Sequence, residues 1–176
     1  DLYCKMLNEA VKEAKGIPVQ EDFETTIDLE LDAFIPERYI PNEYQKLDIY
    51  KRIAGIENQE EYEDMLEELL DRFGELPKSV QNLLSIANLK AMAHKVYMTE
   101  VKQLQDMVKL TMYEKAKINP QGIPAVIEMY RDELQFKADP SPHFIFRPKK
   151  KKTRDTVEII EGVAGLLRDM EEKLKV

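Results

Sequence analysis

A dense run of carboxylates is the most concentrated chemistry in this sequence of 176 residues. Residues 57–75 carry nine acidic side chains and a single cation, Arg72. The nine acids are Glu57, Glu60, Glu61, Glu63, Asp64, Glu67, Glu68, Asp71 and Glu75. Paired carboxylates can serve as general acid and base, and a block of them can attract a basic partner. Nine negative charges against one positive charge give −8, which equals the net charge of the chain, so the acidity is local.

Catalysis has no further support in the sequence. A general acid–base pair needs a pocket in which the pKa values of two carboxyl groups differ. The sequence shows these carboxylates only on the faces of regular helices and strands. None of the six glycines stands in either of the common phosphate-binding motifs. His94 and His143 have no second His or Cys at ligand spacing, and Cys4 has no local signature of a nucleophile. We therefore predict no catalytic residue, no bound cofactor, no metal site and no ATP hydrolysis.

A second charged segment, residues 147–154, holds six cations in eight positions. Its members Lys149, Lys150, Lys151, Lys152 and Arg154 could contact the phosphates of a nucleic acid. The alternative is a solvated loop, which is favoured because no aromatic residues interleave the cations. Since the chain as a whole is acidic, we expect only weak, nonspecific binding to duplex DNA.

Helix signals position the acidic run. Asn42 with Gln45, and Asn58 with Glu61, have the spacing of helix N-caps, and Gly74 is placed to end the second helix. The first of these helices is predicted to bury Leu47, Tyr50, Ile53 and Ala54. The second, at 100° per residue, is predicted to direct Tyr62, Met65, Leu66, Leu69, Leu70 and Phe73 to the core. The opposite face then holds Glu60, Asp64, Glu67, Glu68 and Asp71.

The remaining pattern predicts an α+β fold, with several helices packed around a small, mainly antiparallel sheet. Strict alternation predicts a half-buried strand over residues 26–32. Strands near 97–104 and 108–113 are expected to pair through Gln105 and Asp106, and residues 134–138 and 143–146 to form a hairpin. Helices are predicted over 1–16, from 77 to about 94, from Pro124 to about 131, and from about 154 onward.

The composition indicates a folded protein without a membrane-spanning segment. With 43% hydrophobic residues the chain can bury a core, and it has no apolar run long enough to cross a membrane. One cysteine fits a reducing cytoplasm. The chain opens without Met and inside a helical pattern, so we expect it to be part of a longer protein.

The acidic helix face is costly for the helix that carries it. Like charges at i,i+3 or i,i+4, such as Asp64 with Glu67 and Glu67 with Asp71, each cost roughly 0.2–0.5 kcal/mol. Asp71 also lies near the C-terminal end of the predicted helix, where the negative end of the helix dipole disfavours a carboxylate. Such a face either keeps the domain soluble or receives a basic partner.

A resemblance favours the second explanation. Residues 34–54, Phe-Ile-Pro-Glu-Arg-Tyr-Ile-Pro-Asn-Glu-Tyr-Gln-Lys-Leu-Asp-Ile-Tyr-Lys-Arg-Ile-Ala, and residues 69–77, Leu-Leu-Asp-Arg-Phe-Gly-Glu-Leu-Pro, resemble the C-terminal domain of bacterial transcription-repair coupling factors (Mfd). The resemblance is specific from about 26 to 101 and looser beyond. Residues 1–11 are similar to the helix that leaves the motor module in that family. The resemblance therefore implies a helix and linker over 1–20 and a C-terminal regulatory interaction domain over 21–176.

The family's members are ATP-dependent translocases on double-stranded DNA, which displace stalled RNA polymerase and recruit excision repair through UvrA. ATP and magnesium belong to their motor module, whose motifs this chain lacks. The resemblance implies a cytoplasmic, non-enzymatic domain that docks on a UvrB-like N-terminal domain, masks the UvrA-binding surface and restrains the motor. It further implies that Glu68 and Asp71 make the docking contact, and Asp64 and Glu67 share their helix face. A nucleic-acid-binding accessory module using residues 147–154 is the alternative.

Overall fold

The acidic run lies on the second helix of the structure, a computed structural model that describes residues 23–148 and 156–176. The elements in chain order are β1 (Thr26–Asp28), α1 (Glu43–Ala54), α2 (Gln59–Phe73), α3 (Lys78–Lys95), β2 (Met98–Leu104), β3 (Met107–Met112), α4 (Gly122–Tyr130), a 3-10 turn (Arg131–Glu133), β4 (Leu134–Lys137), β5 (His143–Phe146) and α5 (Thr156–Leu174). They confirm the predicted α+β class. The predicted helix over 1–16 and the basic residues Lys149–Lys152 and Arg154 lie outside the described residues.

The described residues belong to two compact units. One contains Leu31–Ala91, and the other contains Phe23–Glu30 with Met92–Val176. The domain boundary predicted near residue 20 precedes the described residues, so it stays a prediction.

In the first unit, the predicted caps fix where α1 and α2 begin. The side-chain oxygen of Asn42 accepts a hydrogen bond from the Gln45 amide at 3.0 Å, and that of Asn58 accepts one from the Glu61 amide at 2.8 Å. Each bond satisfies an amide that has no partner inside its helix. Gly74 ends α2 with φ at +89°, a backbone conformation that favours glycine.

The core of this unit includes Ile40, Ile49, Ile53, Leu69 and Leu84, each at most 2% exposed. Two residues predicted to be buried are not. Leu47 is 37% exposed, because the buried pair Ile49 and Ile53 centres α1 on the opposite side. Leu70 is 56% exposed, because it lies about 100° around α2 from Leu69, at the edge of the side whose fully buried residues are Met65 and Leu69.

The second unit contains a five-stranded sheet in the order β1-β2-β3-β5-β4. β1 is parallel to β2, and the other three pairings are antiparallel, as the prediction of a mainly antiparallel sheet requires. The turn between β2 and β3 is at Gln105 and Asp106, with Gln105 at φ +59°. β1 is shorter than predicted: the alternating burial continues to Leu31, but pairing with β2 stops at Asp28.

Helix α5 supplies much of the core of this unit. Val163, Leu166, Leu167, Met170 and Leu174 are each at most 2% exposed. The C-terminal end of α5 meets the start of α4, where the Asn119 amide donates to the Leu174 carbonyl at 2.9 Å.

Candidate functional site

The acidic residues that open α2, namely Glu60, Glu61 and Glu63, stabilise the helix. Glu60 and Glu61 lie in its first turn, where negative charge is favourable to the helix dipole. A carboxylate oxygen of Glu61 also accepts the Glu57 amide at 2.8 Å, and Glu63 accepts a hydrogen bond from the side chain of Gln59 at 3.3 Å. These acids are accounted for by the helix itself.

Glu68 is paired, and one of its partners comes from outside residues 57–75, the segment in which the sequence shows Arg72 as the single cation. Arg52 of α1 donates to both of its oxygens, with Nη2 2.5 Å from Oε1 and Nη1 bonded to Oε2. Arg72, one turn further along α2, donates from Nη1 to Oε2 at 2.9 Å. The side chain of Glu68 is 31% exposed, so this ion pair lies at the surface. Arg52 was missed because it precedes Glu68 by 16 positions and lies on another helix.

These contacts shift the protonation equilibrium of Glu68. The hydrogen bond from Arg52 lowers the pKa of Glu68 to about 2, with the bond from Arg72 and the charges of both arginines adding to the effect, while partial desolvation opposes it. The same hydrogen bond raises the pKa of Arg52. Glu68 is therefore a fixed anion at neutral pH, shared by two guanidinium groups.

Three other carboxylates of α2 have no such partner. Asp64, Glu67 and Asp71 are exposed, and within residues 23–148 and 156–176 none of them makes an ion pair or a side-chain hydrogen bond. Exposed Leu70 lies beside them, and together with Glu68 they line an open depression in the surface. We call Asp64, Glu67, Leu70 and Asp71 the outer face of α2. It combines unneutralised negative charge with an exposed leucine.

The end of α2 is stabilised by a residue that the sequence did not single out. The hydroxyl group of Tyr39 lies 2.8 Å from the Gly74 carbonyl and 3.1 Å from the Leu69 carbonyl. The ring of Tyr39 contacts the ring of Phe73, with centroids 5.8 Å apart. The guanidinium group of Arg72 lies over the Phe73 ring, 4.9 Å from its centroid. These contacts fix the turn of α2 that carries Leu70 and Asp71.

The two histidines have structural surroundings. The hydroxyl group of Thr25 donates its proton to the Met98 carbonyl at 2.7 Å, so Nδ1 of His94, 2.9 Å away, must be the donor to Thr25. The His94 ring stacks on Phe23. His143 is buried, with Nδ1 2.7 Å from the Ser141 carbonyl oxygen.

The described part of the chain holds neither a metal-ligand cluster nor a membrane-spanning helix. No group of three or more His, Cys, Asp or Glu side chains there has an arrangement suited to a metal ion. None of the helices there is both long and apolar enough to cross a membrane.

Comparisons with known proteins converge on one family. The profile of the TRCF domain matches residues 29–123. The transcription-repair-coupling factor of Bacillus subtilis strain 168 is 44% identical over 123 residues, which cover 69% of this chain and 10% of that protein. The protein of the same name from Staphylococcus haemolyticus is 37% identical over 118 residues, covering 66% of this chain and 10% of that protein.

A solved structure agrees with these sequence matches. It is a crystal structure of the C-terminal domain of a transcription-repair coupling factor, with a TM-score of 0.75 and 27% identity. The match covers 87% of this chain and 95% of the solved one. The chain thus spans about a tenth of the length of the curated relatives and nearly all of a domain solved separately.

Proposed function

The chain belongs to the family of TRCF domains, the C-terminal domains of transcription-repair coupling factors, and from that premise we propose that it is a docking domain that restrains the rest of such a factor. Its partner is the UvrB-like N-terminal domain of the same factor. Docking covers the surface that UvrA would bind and holds the ATP-dependent motor in a restrained state.

The outer face of α2 is the observation that carries this proposal. Asp64, Glu67 and Asp71 offer three carboxylates that have no ion-pair partner among the described residues, and Leu70 offers an exposed apolar side chain between them. Repulsion among these acids destabilises the isolated helix. A basic surface with an apolar centre would neutralise the charges and cover the leucine, and its attraction would steer association.

The role of Glu68 differs from that of the other three acids. The resemblance implies that Glu68 and Asp71 both touch the partner, but the Glu68 carboxylate already accepts hydrogen bonds from Arg52 and Arg72. Asp64, Glu67 and Asp71 are therefore the primary acceptors for a cation of the partner, and Glu68 is largely occupied until an arginine releases it.

We place no catalytic step in this domain. The motor module of the intact factor hydrolyses ATP, binds magnesium, translocates on double-stranded DNA and displaces RNA polymerase. The domain acts in the cytoplasm, by occupying a surface, and needs no cofactor of its own.

A binding titration tests the proposal. The chain is titrated with the UvrB-like N-terminal domain from the same organism, and affinity should fall as salt is raised. The triple variant Asp64→Asn, Glu67→Gln, Asp71→Asn should bind at least about tenfold more weakly, because the partner's cations lose their acceptors. A control with the same loss of charge, Glu37→Gln with Asp106→Asn and Glu128→Gln, changes exposed acids that lie outside α2 and should bind nearly as the wild type does.

Equal losses in the two triple variants would show general electrostatics rather than a docking face. No binding by the wild type, together with tight, salt-sensitive binding to duplex DNA, would instead support the accessory nucleic-acid-binding role of residues 147–154. In the intact coupling factor the outer-face variant should bind UvrA more readily and hydrolyse ATP faster.

A further inference from the structure

The carboxylate of Glu68 is nearly saturated before any partner arrives. A carboxylate offers about four lone-pair sites, and Arg52 and Arg72 together place three donors on the two oxygens. The bidentate contact with Arg52 is the geometry that gives arginine–carboxylate pairs their strength. A cation that approaches α2 therefore meets one free position on Glu68.

Glu68 nevertheless lies within reach of a partner on the outer face. At 100° per residue it is about 60° from Asp71 and 40° from Asp64 around the helix. The side chains of Arg52 and Glu68 are 40% and 31% exposed, so water and other ions can reach the pair. The pair can therefore open without disturbing the buried core.

Resting on the docking function proposed above, we infer that Arg52 competes with the cation of the docking partner for Glu68 and thereby keeps docking reversible. With the pair closed, the partner engages Asp64, Glu67 and Asp71. With the pair open, Glu68 becomes a fourth acceptor. The apparent affinity for the partner falls with the fraction of molecules in which the Arg52–Glu68 pair is open. Arg52 keeps that fraction low, so it weakens docking and favours release.

Three substitutions separate this competition from general electrostatics. Arg52→Gln should tighten binding to the UvrB-like domain by about two- to sixfold, as expected when a partly exposed ion pair no longer has to open. Lys51→Gln removes the same charge from an exposed neighbour on α1 and should have a smaller effect. Arg52→Lys conserves the charge but not the bidentate contact, so it should tighten binding by an intermediate amount.

The decisive comparison repeats these substitutions in a chain that also carries Glu68→Gln. Once Glu68 is neutral, there is no carboxylate to compete for, and Arg52→Gln should change affinity no more than Lys51→Gln does. Melting curves of every variant check that each remains folded at the temperature of the titration.

The outcomes distinguish this inference from the function on which it rests. If the wild type binds but Arg52→Gln has no more effect than Lys51→Gln, competition is wrong and docking stands. If Arg52→Gln weakens binding, Arg52 positions Glu68 for the partner, which is the opposite role. If the wild type does not bind, the docking function fails, and this inference fails with it.

Discussion

The hydroxyl group of Tyr39 lies 2.8 Å from the main-chain carbonyl oxygen of Gly74 and joins the segment before α1 to the end of α2. The same hydroxyl lies 3.1 Å from the Leu69 carbonyl oxygen, so its single proton is shared between a carbonyl of the last turns of α2 and that of Gly74, the residue that follows the helix. Burial raises the pKa of Tyr39, so its hydroxyl remains a donor at any physiological pH. Tyr39 therefore anchors the turn from which Leu70 and Asp71 project.

Replacing Tyr39 with Phe should lower the free energy of unfolding by about 0.5–1.5 kcal/mol, because the hydrogen bond that the hydroxyl donates is lost while the ring is retained. Urea denaturation measures the change. Tyr44→Phe is the matched control, since Tyr44 is 87% exposed and should lose nothing measurable. Equal stability of the two variants would show that Tyr39 contributes through its ring alone.

The adjacent leucines 69 and 70 should separate stability from docking. Leu69 is fully buried and Leu70 is 56% exposed. Leu69→Ala should cost about 2–5 kcal/mol of stability through the cavity that it leaves. Leu70→Ala should leave the melting temperature nearly unchanged and weaken binding to the UvrB-like domain. A large drop in melting temperature for Leu70→Ala would mean that α2 is rotated relative to the structure.

Local sequence was sufficient where one short segment contains both partners of an interaction. The caps at Asn42 and Asn58 and the turn at Gln105 and Asp106 are of this kind, and all were predicted. The predicted positions of Asp64, Glu67 and Asp71 on one exposed face also hold, because helical periodicity fixes them relative to Leu69.

Interactions between distant segments could not be read from spacing. Arg52 reaches Glu68 from another helix, and Tyr39 reaches Gly74 from 35 positions away. The burial of a helix edge depends on the neighbour against which the helix packs, so periodicity alone misplaced Leu47 and Leu70. A parallel strand pair carries no turn signal, which is why the pairing of β1 with β2 was not foreseen, although the strand itself was.

Lowering the pH should remove the stabilisation that Glu68 contributes to the fold. Its folded pKa of about 2 is below the ordinary value of 4.5, so the ion pairs stabilise the fold above pH 4.5, and the stabilisation is lost as pH falls from there toward 2. Because the pair is partly exposed and screened by solvent, we expect it to supply less than about 1 kcal/mol. Glu68→Gln should therefore be less stable than the wild type at pH 7, with the difference shrinking toward pH 2.

Glu67→Gln is the control for that measurement. Glu67 lies on the same helix and makes no ion pair among the described residues, so its replacement should cost no stability at pH 7 and relieve some repulsion from Asp64 and Asp71. If the two variants followed the same curve from pH 7 to pH 2, the contacts of Glu68 with Arg52 and Arg72 would contribute nothing to the fold.

Two glycines of the second unit should respond in opposite directions to alanine. A Cβ at Gly122 would overlap the main-chain carbonyl of Lys173, where the start of α4 meets the end of α5. Since a main-chain atom cannot rotate away, Gly122→Ala should destabilise the chain by about 1–3 kcal/mol.

A Cβ at Gly165, inside α5, would meet no atom within 4 Å. Gly165→Ala should therefore raise stability by roughly 0.5–1 kcal/mol, because alanine loses less backbone entropy in a helix. Chemical denaturation of both variants measures these shifts, and a stabilising Gly122→Ala would show that α4 and α5 do not approach as closely as the structure places them.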